Sequence, residues 1–221
     1  MQAFLGINFY FCKLELKFAI DLNKKTRALS KEEYEKIIES IQYGFIYNGI
    51  KIQPNPRIAT AFVVQANTGL RIGDLLNLRL KDIIKESGRY HFNIKEEKTK
   101  KPRTFTIAPE VYTYLQSYAL ENGIKPTAKL FDISSRRISK HLKTTAEYLG
   151  YEGVGTHSFR KFFAMSIYNN NGYNVELVRE LLQHSSVSIT QHYLGVSPQL
   201  VEKALLNHVY IPDLKMQKND D

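Results

Sequence analysis

The sequence predicts a mainly helical α+β domain with a small antiparallel β-hairpin sheet, and three observations predict it. Apolar residues recur at helical spacing through most of the chain and are bracketed by cap-forming residues. Two extended runs, residues 90–94 and 103–107, flank a basic loop and read as a hairpin. The 221 residues are 43% hydrophobic, enough for one full-sized core.

Each element has its own warrant. Leu14, Leu16, Phe18 and Ile20 alternate with Lys13, Glu15, Lys17 and Ala19, the period of a half-buried strand, so residues 1–26 read as an added strand or arm. Ser30 and Glu33 make a capping-box pattern ahead of Tyr34, Ile37, Ile38 and Ile41, which predicts a helix to about residue 47. Beyond Pro54 and Pro56, residues 58–65 read as a buried helix stopping near the Thr68-Gly69 corner, and a short helix follows through Leu75, Leu76 and Leu78. After the hairpin, helices are predicted over 110–120, ended by Gly123, and over 135–149, ended by Gly150. Thr156 is the expected N-cap of a helix over 157–168 and Asn174 of one over 175–183; Ser197, with Pro198, caps a last helix to about residue 208. The organisation expected is an extension over 1–26, a domain over 27–210 and a polar tail over 211–221.

Composition narrows the function. Thirty-one Lys and Arg against 22 Asp and Glu give a formal charge of +9, which favours a polyanionic partner, nucleic acid or an acidic membrane surface. Cys12 is the only cysteine, so neither an intrachain disulfide nor a thiolate zinc cage is possible, and a reducing cytoplasm fits. The apolar residues 3–12 have no basic residues before them and are followed by Lys13, Glu15 and Lys17, unlike a signal peptide, and they are too few for a membrane span. No Asp/Glu/His spacing suits a cation pair, which argues against a metal-dependent nuclease; no metal and no cofactor are expected.

The chemistry lies in four places. His157 and Arg160, in the run HSFR, share one face of a helix's first turn, where free N–H groups welcome an anion. In TGLRIGDLLNL, Arg71 follows a glycine corner and Asp74 lies one turn on, placed to orient its guanidinium. His184 ends one helix and Tyr193 follows nine residues later. Taken singly these are unremarkable: an exposed His and Arg, a surface ion pair, and one tyrosine among 14. Together, two arginines able to fork onto phosphate oxygens, two imidazoles and a phenol can bind a phosphodiester and attack it without a metal.

In this order the residues resemble the tyrosine recombinases, the phage integrase family, with the likeness running from about residue 24 to 206. The family pattern is an Arg after a Thr-Gly corner, a hairpin Lys, His-x-x-Arg, a His or Trp, and a Tyr about nine residues on; Arg71, Lys98, His157 with Arg160, His184 and Tyr193 match it. KEEKTKKPR offers four lysines; Lys98, followed by Thr99, matches the family's Lys-Thr, and Lys100 is the alternative. The resemblance implies the integrase catalytic-core fold and a site-specific recombinase that breaks and rejoins duplex DNA through a 3′-phosphotyrosine. Tyr193 would be the nucleophile, Lys98 the acid for the leaving 5′ oxygen, and Arg71 and Arg160 the phosphate clamps. His157 would be the general base, His184 a phosphate donor and Asp74 a support. Two positions depart from the family: Gln183 stands where Gly is usual, and Lys161 where His often follows the arginine. A core-binding module precedes the catalytic part in most relatives, and only about 26 residues do so here, so short single-domain integrases are the better match.

DNA contacts are expected from Lys24, Lys25 and Arg27 before the first helix, from Lys95, Lys100, Lys101 and Arg103 at the hairpin, and from Arg136, Arg137, Lys140 and Lys143 on one helical side. The alternative for these groups is a merely solvated face. Four protomers are expected to assemble on DNA at synapsis, with the helix at 197–209 as the candidate contact between them and an accessory DNA-binding protein as a candidate partner. The rival readings are a type IB topoisomerase-like nicking-closing enzyme and an inactive DNA-binding regulator.

Overall fold

The computed structural model describes residues 26–97, 100 and 102–194, and no helix among them is long and apolar enough to cross a membrane. The expected strand at 13–20, the helix at 197–208 and the tail lie outside the described residues.

Helix α1 (Lys31–Tyr43) starts on the predicted capping box: Glu33 N–H donates to Ser30 Oγ at 3.1 Å, and Ser30 N–H to Glu33 Oε2 at 2.9 Å. The helix stops at Gly44 (φ 76°), short of the expected residue 47. In its place β1 (Phe45–Tyr47) and β2 (Ile50–Ile52) form an antiparallel hairpin. Asn48 and Gly49 close it with φ of 49° and 74°, the left-handed pair a two-residue hairpin turn requires. Phe45 stacks on Tyr148 at 4.3 Å, so the aromatic residues that looked like a continuing helix instead dock a hairpin.

Helix α2 (Pro56–Thr68) is the centre of the molecule, with Ile58, Ala59, Ala61, Phe62 and Val64 all buried. Asn55 Oδ1 accepts from Ile58 N–H at 3.2 Å, and Pro56 occupies the first turn, where its missing donor costs nothing. The short α3 (Ile72–Leu76) follows the corner at Gly69. The sheet has three strands in the order β3 (Ile83–Glu86), β4 (Arg89–Lys95), β5 (Pro102–Ile107), all antiparallel. The predicted hairpin is β4–β5; β3 joins through Ser87-Gly88, a second two-residue turn with positive φ at both positions.

Helices α4 (Pro109–Glu121), α5 (Ser135–Leu149), α6 (Thr156–Asn170), α7 (Val175–Leu182) and α8 (Val187–Leu194) complete the described chain. The cap of α6 is Gly155, not Thr156: its N–H donates to Ser158 Oγ at 3.1 Å. Asn174 caps α7 as expected, accepting from Leu177 N–H at 3.0 Å. Phe62 of α2 stacks on Phe159 of α6 at 4.1 Å, inside a core that α1, α2, α4, α5 and the sheet share. A smaller cluster of Ala164, Val178 and Leu182 holds α7 and α8 to α6, with Tyr193 packed against it. The last two helices are therefore a separate layer laid over the site.

Candidate active site

Helix ends and one buried carboxylate build the site. At the end of α2, Gly69 takes the left-handed conformation (φ 63°), and a β-carbon there would run into the ring of Phe163. Arg71 leaves this corner with its side chain about one-quarter exposed, and its Nη1 contacts Glu96 Oε2 at 2.6 Å. Glu96 is itself buried and also faces Arg103 Nη1 at 3.3 Å. Asp74, the predicted partner of Arg71, stands off at 4.0 Å. Its Oδ1 instead accepts the Glu97 N–H at 2.7 Å, pinning the loop after β4 to α3.

Arg160 is almost wholly buried, contrary to the solvated reading of an Arg in a first turn. Its Nη1 donates to the Gly69 carbonyl and its Nη2 to the Leu182 carbonyl at 2.9 Å. Both acceptors lie at helix C-termini, whose free carbonyls carry partial negative charge. Arg103 does the same one residue earlier, donating to Leu181 O at 2.5 Å. Burial, together with neighbouring Arg71 and Arg103, lowers the Arg160 pKa to about 10, so it stays charged at neutral pH.

Tyr193 sits on α8 against this group. Its hydroxyl is buried beside the Arg160 guanidinium and has no hydrogen-bond partner at good geometry among the described residues. Burial raises its pKa, while the Arg160 and Arg71 guanidiniums pull in the other direction. The ring meets the edge of His184 at a centroid distance of 5.2 Å. His184 Nδ1 shares a 3.0 Å hydrogen bond with Thr190 Oγ1. Burial first, then the same two arginines, lower the His184 pKa to about 4, so the imidazole is neutral at pH 7. His157 lies exposed on the first turn of α6, three residues before Arg160.

Gln183, the departure from the glycine pattern, occupies the left-handed cap of α7 with φ 52° and ψ 43°. It is exposed and makes no side-chain contact that explains the choice of residue. Gln183→Gly is expected to stabilise the fold, raising the free energy of unfolding by about 0.5–1 kcal/mol in urea denaturation, since the strain that glycine removes exceeds the freedom it adds to the unfolded chain.

The structure thus brings Arg71, Asp74, Arg160, His184 and Tyr193 together. Lys98, Lys24, Lys25 and Lys101 lie outside the described residues. Lys95 and Lys100 are exposed at the hairpin, and Arg136, Arg137, Lys140 and Lys143 are exposed along α5 opposite buried Ile138 and Leu142. One expected DNA contact is corrected: Arg103 is 2% exposed and consumed by Glu96 and Leu181, so it holds the site together and is not a surface group. Arg27 is exposed, forks onto Glu33 at 2.5 and 2.7 Å and donates to Glu152 O at 2.9 Å, which also makes it a clasp between the chain before α1 and the loop before α6. Sequence reasoning missed Glu96 altogether, reading KEEKTKKPR only for its cations. A signal was present: Glu96 falls directly after β4, opposite the strand that carries Arg103.

Comparison with known proteins places this geometry. The model of the phage integrase family matches residues 27–199. The probable integrase/recombinase YoeC of Bacillus subtilis is 32% identical over 178 residues, covering 77% of this chain and 91% of that protein. The XerH site-specific recombinase, in a post-cleavage complex with its palindromic difH substrate, superposes with a TM-score of 0.62 at 25% identity; the match covers 80% of this chain and 51% of that one. The catalytic domain of bacteriophage HP1 integrase shares the fold, with a TM-score of 0.56 at 21% identity over 83% of this chain and 96% of that domain. This chain spans about half the length of XerH and nearly all of YoeC and the HP1 domain. With a family match over most of its length and Arg71, Arg160, His184 and Tyr193 gathered in one cluster, the chain belongs to the phage integrase family, the tyrosine recombinases.

Proposed function

We propose that this chain is a site-specific recombinase that cleaves and rejoins duplex DNA through a covalent bond between Tyr193 and a 3′-phosphate. The observation that carries the reading is the buried Tyr193 hydroxyl, beside two guanidiniums and without a well-aligned hydrogen-bond partner among the described residues. A tyrosine kept only for packing has no use for that placement, since an unmet buried hydroxyl destabilises the fold. A phosphodiester bound against Arg71 and Arg160 supplies what the hydroxyl lacks.

In the forward step the Tyr193 oxygen attacks phosphorus, the bond to the 5′ oxygen breaks, and the phosphate remains on the tyrosine. Because the phenol pKa is raised, it is protonated at neutral pH and its proton must go to a base; exposed His157 is assigned that role. The leaving 5′ oxygen takes a proton from Lys98. Arg71 and Arg160 hold the non-bridging oxygens: a guanidinium has five N–H donors, and Arg160 commits two to carbonyls. Neutral His184 adds a hydrogen bond. Rejoining is the reverse, with the 5′ hydroxyl attacking the phosphotyrosine. Fixed cations take the part a metal ion plays in other phosphoryl transfers, so chelator is not expected to inhibit.

Recombination further requires two DNA sites and four protomers, and the basic side of α5 is the surface proposed to lie on the duplex. An accessory DNA-bending protein would compensate for a small footprint. The test is a nicked suicide duplex incubated in EDTA and resolved on a denaturing gel. A covalent protein–DNA band lost in Tyr193→Phe is expected; a band that persists in that variant refutes the assignment.

A further inference from the structure

Lys161 follows Arg160 on α6, in the place where the family often has histidine, and the chemistry above gives it no task. Its Nζ donates to the Thr26 carbonyl at 2.7 Å and lies over the Tyr193 ring, 5.1 Å from the centroid. One ammonium therefore touches both the start of the described chain and the nucleophile. Residue 26 is itself held in place. The Arg27 N–H donates to Gly153 O at 2.9 Å, and Gly155 packs so closely that a β-carbon there would come within 2.8 Å of Thr26 Cγ2.

A cation within about 6 Å of an aromatic face is attracted by the ring's negative quadrupole. The attraction grows when the phenol loses its proton, because the phenolate spreads negative charge into the ring. A lysine in this position therefore favours the attacking form of the tyrosine over its resting form. It also fixes one face of the ring, while His184 meets the ring at 75° to its plane.

We infer that Lys161 is a positioning residue for the nucleophile, tying the Tyr193 ring to the backbone at residue 26 so that the two move as one unit. The inference rests on Tyr193 being the nucleophile. It gives the segment before α1 a means of controlling cleavage, since displacing residue 26 would draw the ammonium off the ring.

The experiment is single-turnover covalent-complex formation on the nicked duplex, measured across pH for wild type, Lys161→Met, Lys161→Arg, Gly155→Ala and the Gly155→Ala/Lys161→Met pair. Lys161→Met is expected to cleave about tenfold more slowly at neutral pH, with its rate rising at higher pH than in wild type and DNA affinity within about twofold. Lys161→Arg, which keeps a cation over the ring, is expected to recover most of the rate. Gly155→Ala, which crowds Thr26, is expected to slow wild type severalfold and to add nothing once Lys161 is gone, the signature of two changes acting through one contact. Wild-type rate and pH profile in Lys161→Met, or a Gly155→Ala effect that multiplies with it, would overturn the inference. A readout on the free protein separates this from the nucleophile reading: the NMR titration of the Tyr193 ring carbon, identified by its loss in Tyr193→Phe, is expected to move to higher pH in Lys161→Met. An unmoved titration overturns the coupling, even where the cleavage band itself is present.

Discussion

Glu96→Ala is expected to destabilise the fold by about 3–5 kcal/mol, the cost of leaving buried cations without their counter-charge. Arg103 is 2% exposed and Arg71 about one-quarter exposed, and both rely on the two oxygens of this carboxylate at 3.3 and 2.6 Å. Burial already lowers the Arg103 pKa against the pull of Glu96, so removing the carboxylate leaves a desolvated guanidinium beside Arg71 and Arg160. Urea denaturation at pH 7 checks the stability loss. Covalent-complex formation by the remaining folded protein is expected to fall by about 10²-fold or more, because Arg71 loses the partner that aims it. Glu96→Gln separates the two effects: it keeps oxygen and nitrogen in place while removing the charge, and should retain more stability than Glu96→Ala. A loss below about 1 kcal/mol in Glu96→Ala would mean that the arginines reach solvent, as surface pairs do.

The charge pattern of this group also suits the phosphate proposed to bind there. Three guanidiniums, Arg71, Arg103 and Arg160, converge on two carboxylates, Glu96 and Asp74. The excess positive charge sits where two helices end: the carbonyls of Gly69, Leu181 and Leu182 take up some donors, and the rest face Tyr193. Helix C-termini thus hold the cations that an anion needs, rather than binding the anion themselves. That arrangement adds a second source of positive charge to the anion site expected at the first turn of the HSFR helix, and it makes the docking of α7 part of the site. Without α7, Arg103 and Arg160 each lose a buried acceptor.

Much of this was legible in the sequence, and what was not has physical causes. Helix caps at Ser30, Asn174 and Gly150 were readable because a cap is local, involving residues within a few positions of each other. Arg71, Arg160, His184 and Tyr193 could be picked out by order and spacing even though they are far apart in the chain. The β1–β2 hairpin went unread because Ile38, Ile41 and Phe45 keep a helical spacing up to the break; the Asn48-Gly49 pair was the better signal. Strand β3 was hidden for a related reason, since adjacent Ile83 and Ile84 show no alternation. Glu96 and Arg103 were misread because a charge run gives no sign of which members turn inward; only the strand register brings them to the arginine cluster. Asp74 turned out to have a second task that spacing could not show: its Oδ2 stays 4.0 Å from Arg71 Nη1, as three-residue spacing suggested, while its Oδ1 accepts the backbone N–H of Glu97.

Arg160→Ala carries the largest combined effect expected outside the nucleophile itself. The Gly69 and Leu182 carbonyls are buried and both depend on its donors, so truncation leaves two acceptors unmet and opens a void beneath Tyr193, a loss of about 2–5 kcal/mol. Cleavage is expected to fall by about 10³-fold or more, as when an arginine that neutralises a transferring phosphoryl group is removed. Arg160→Lys distinguishes charge from shape. An ammonium restores positive charge but lacks the planar fork that spans two carbonyls and still presents donors to the phosphate, so stability should recover in part and cleavage hardly at all. Millimolar guanidinium, far below denaturing concentration, provides a third arm: partial restoration of covalent-complex formation in Arg160→Ala would show that the missing function is a forked cation in the cavity. A folded Arg160→Lys protein that cleaves at the wild-type rate would instead reduce Arg160 to a point charge, and the role of the two helix ends in aiming it would fall.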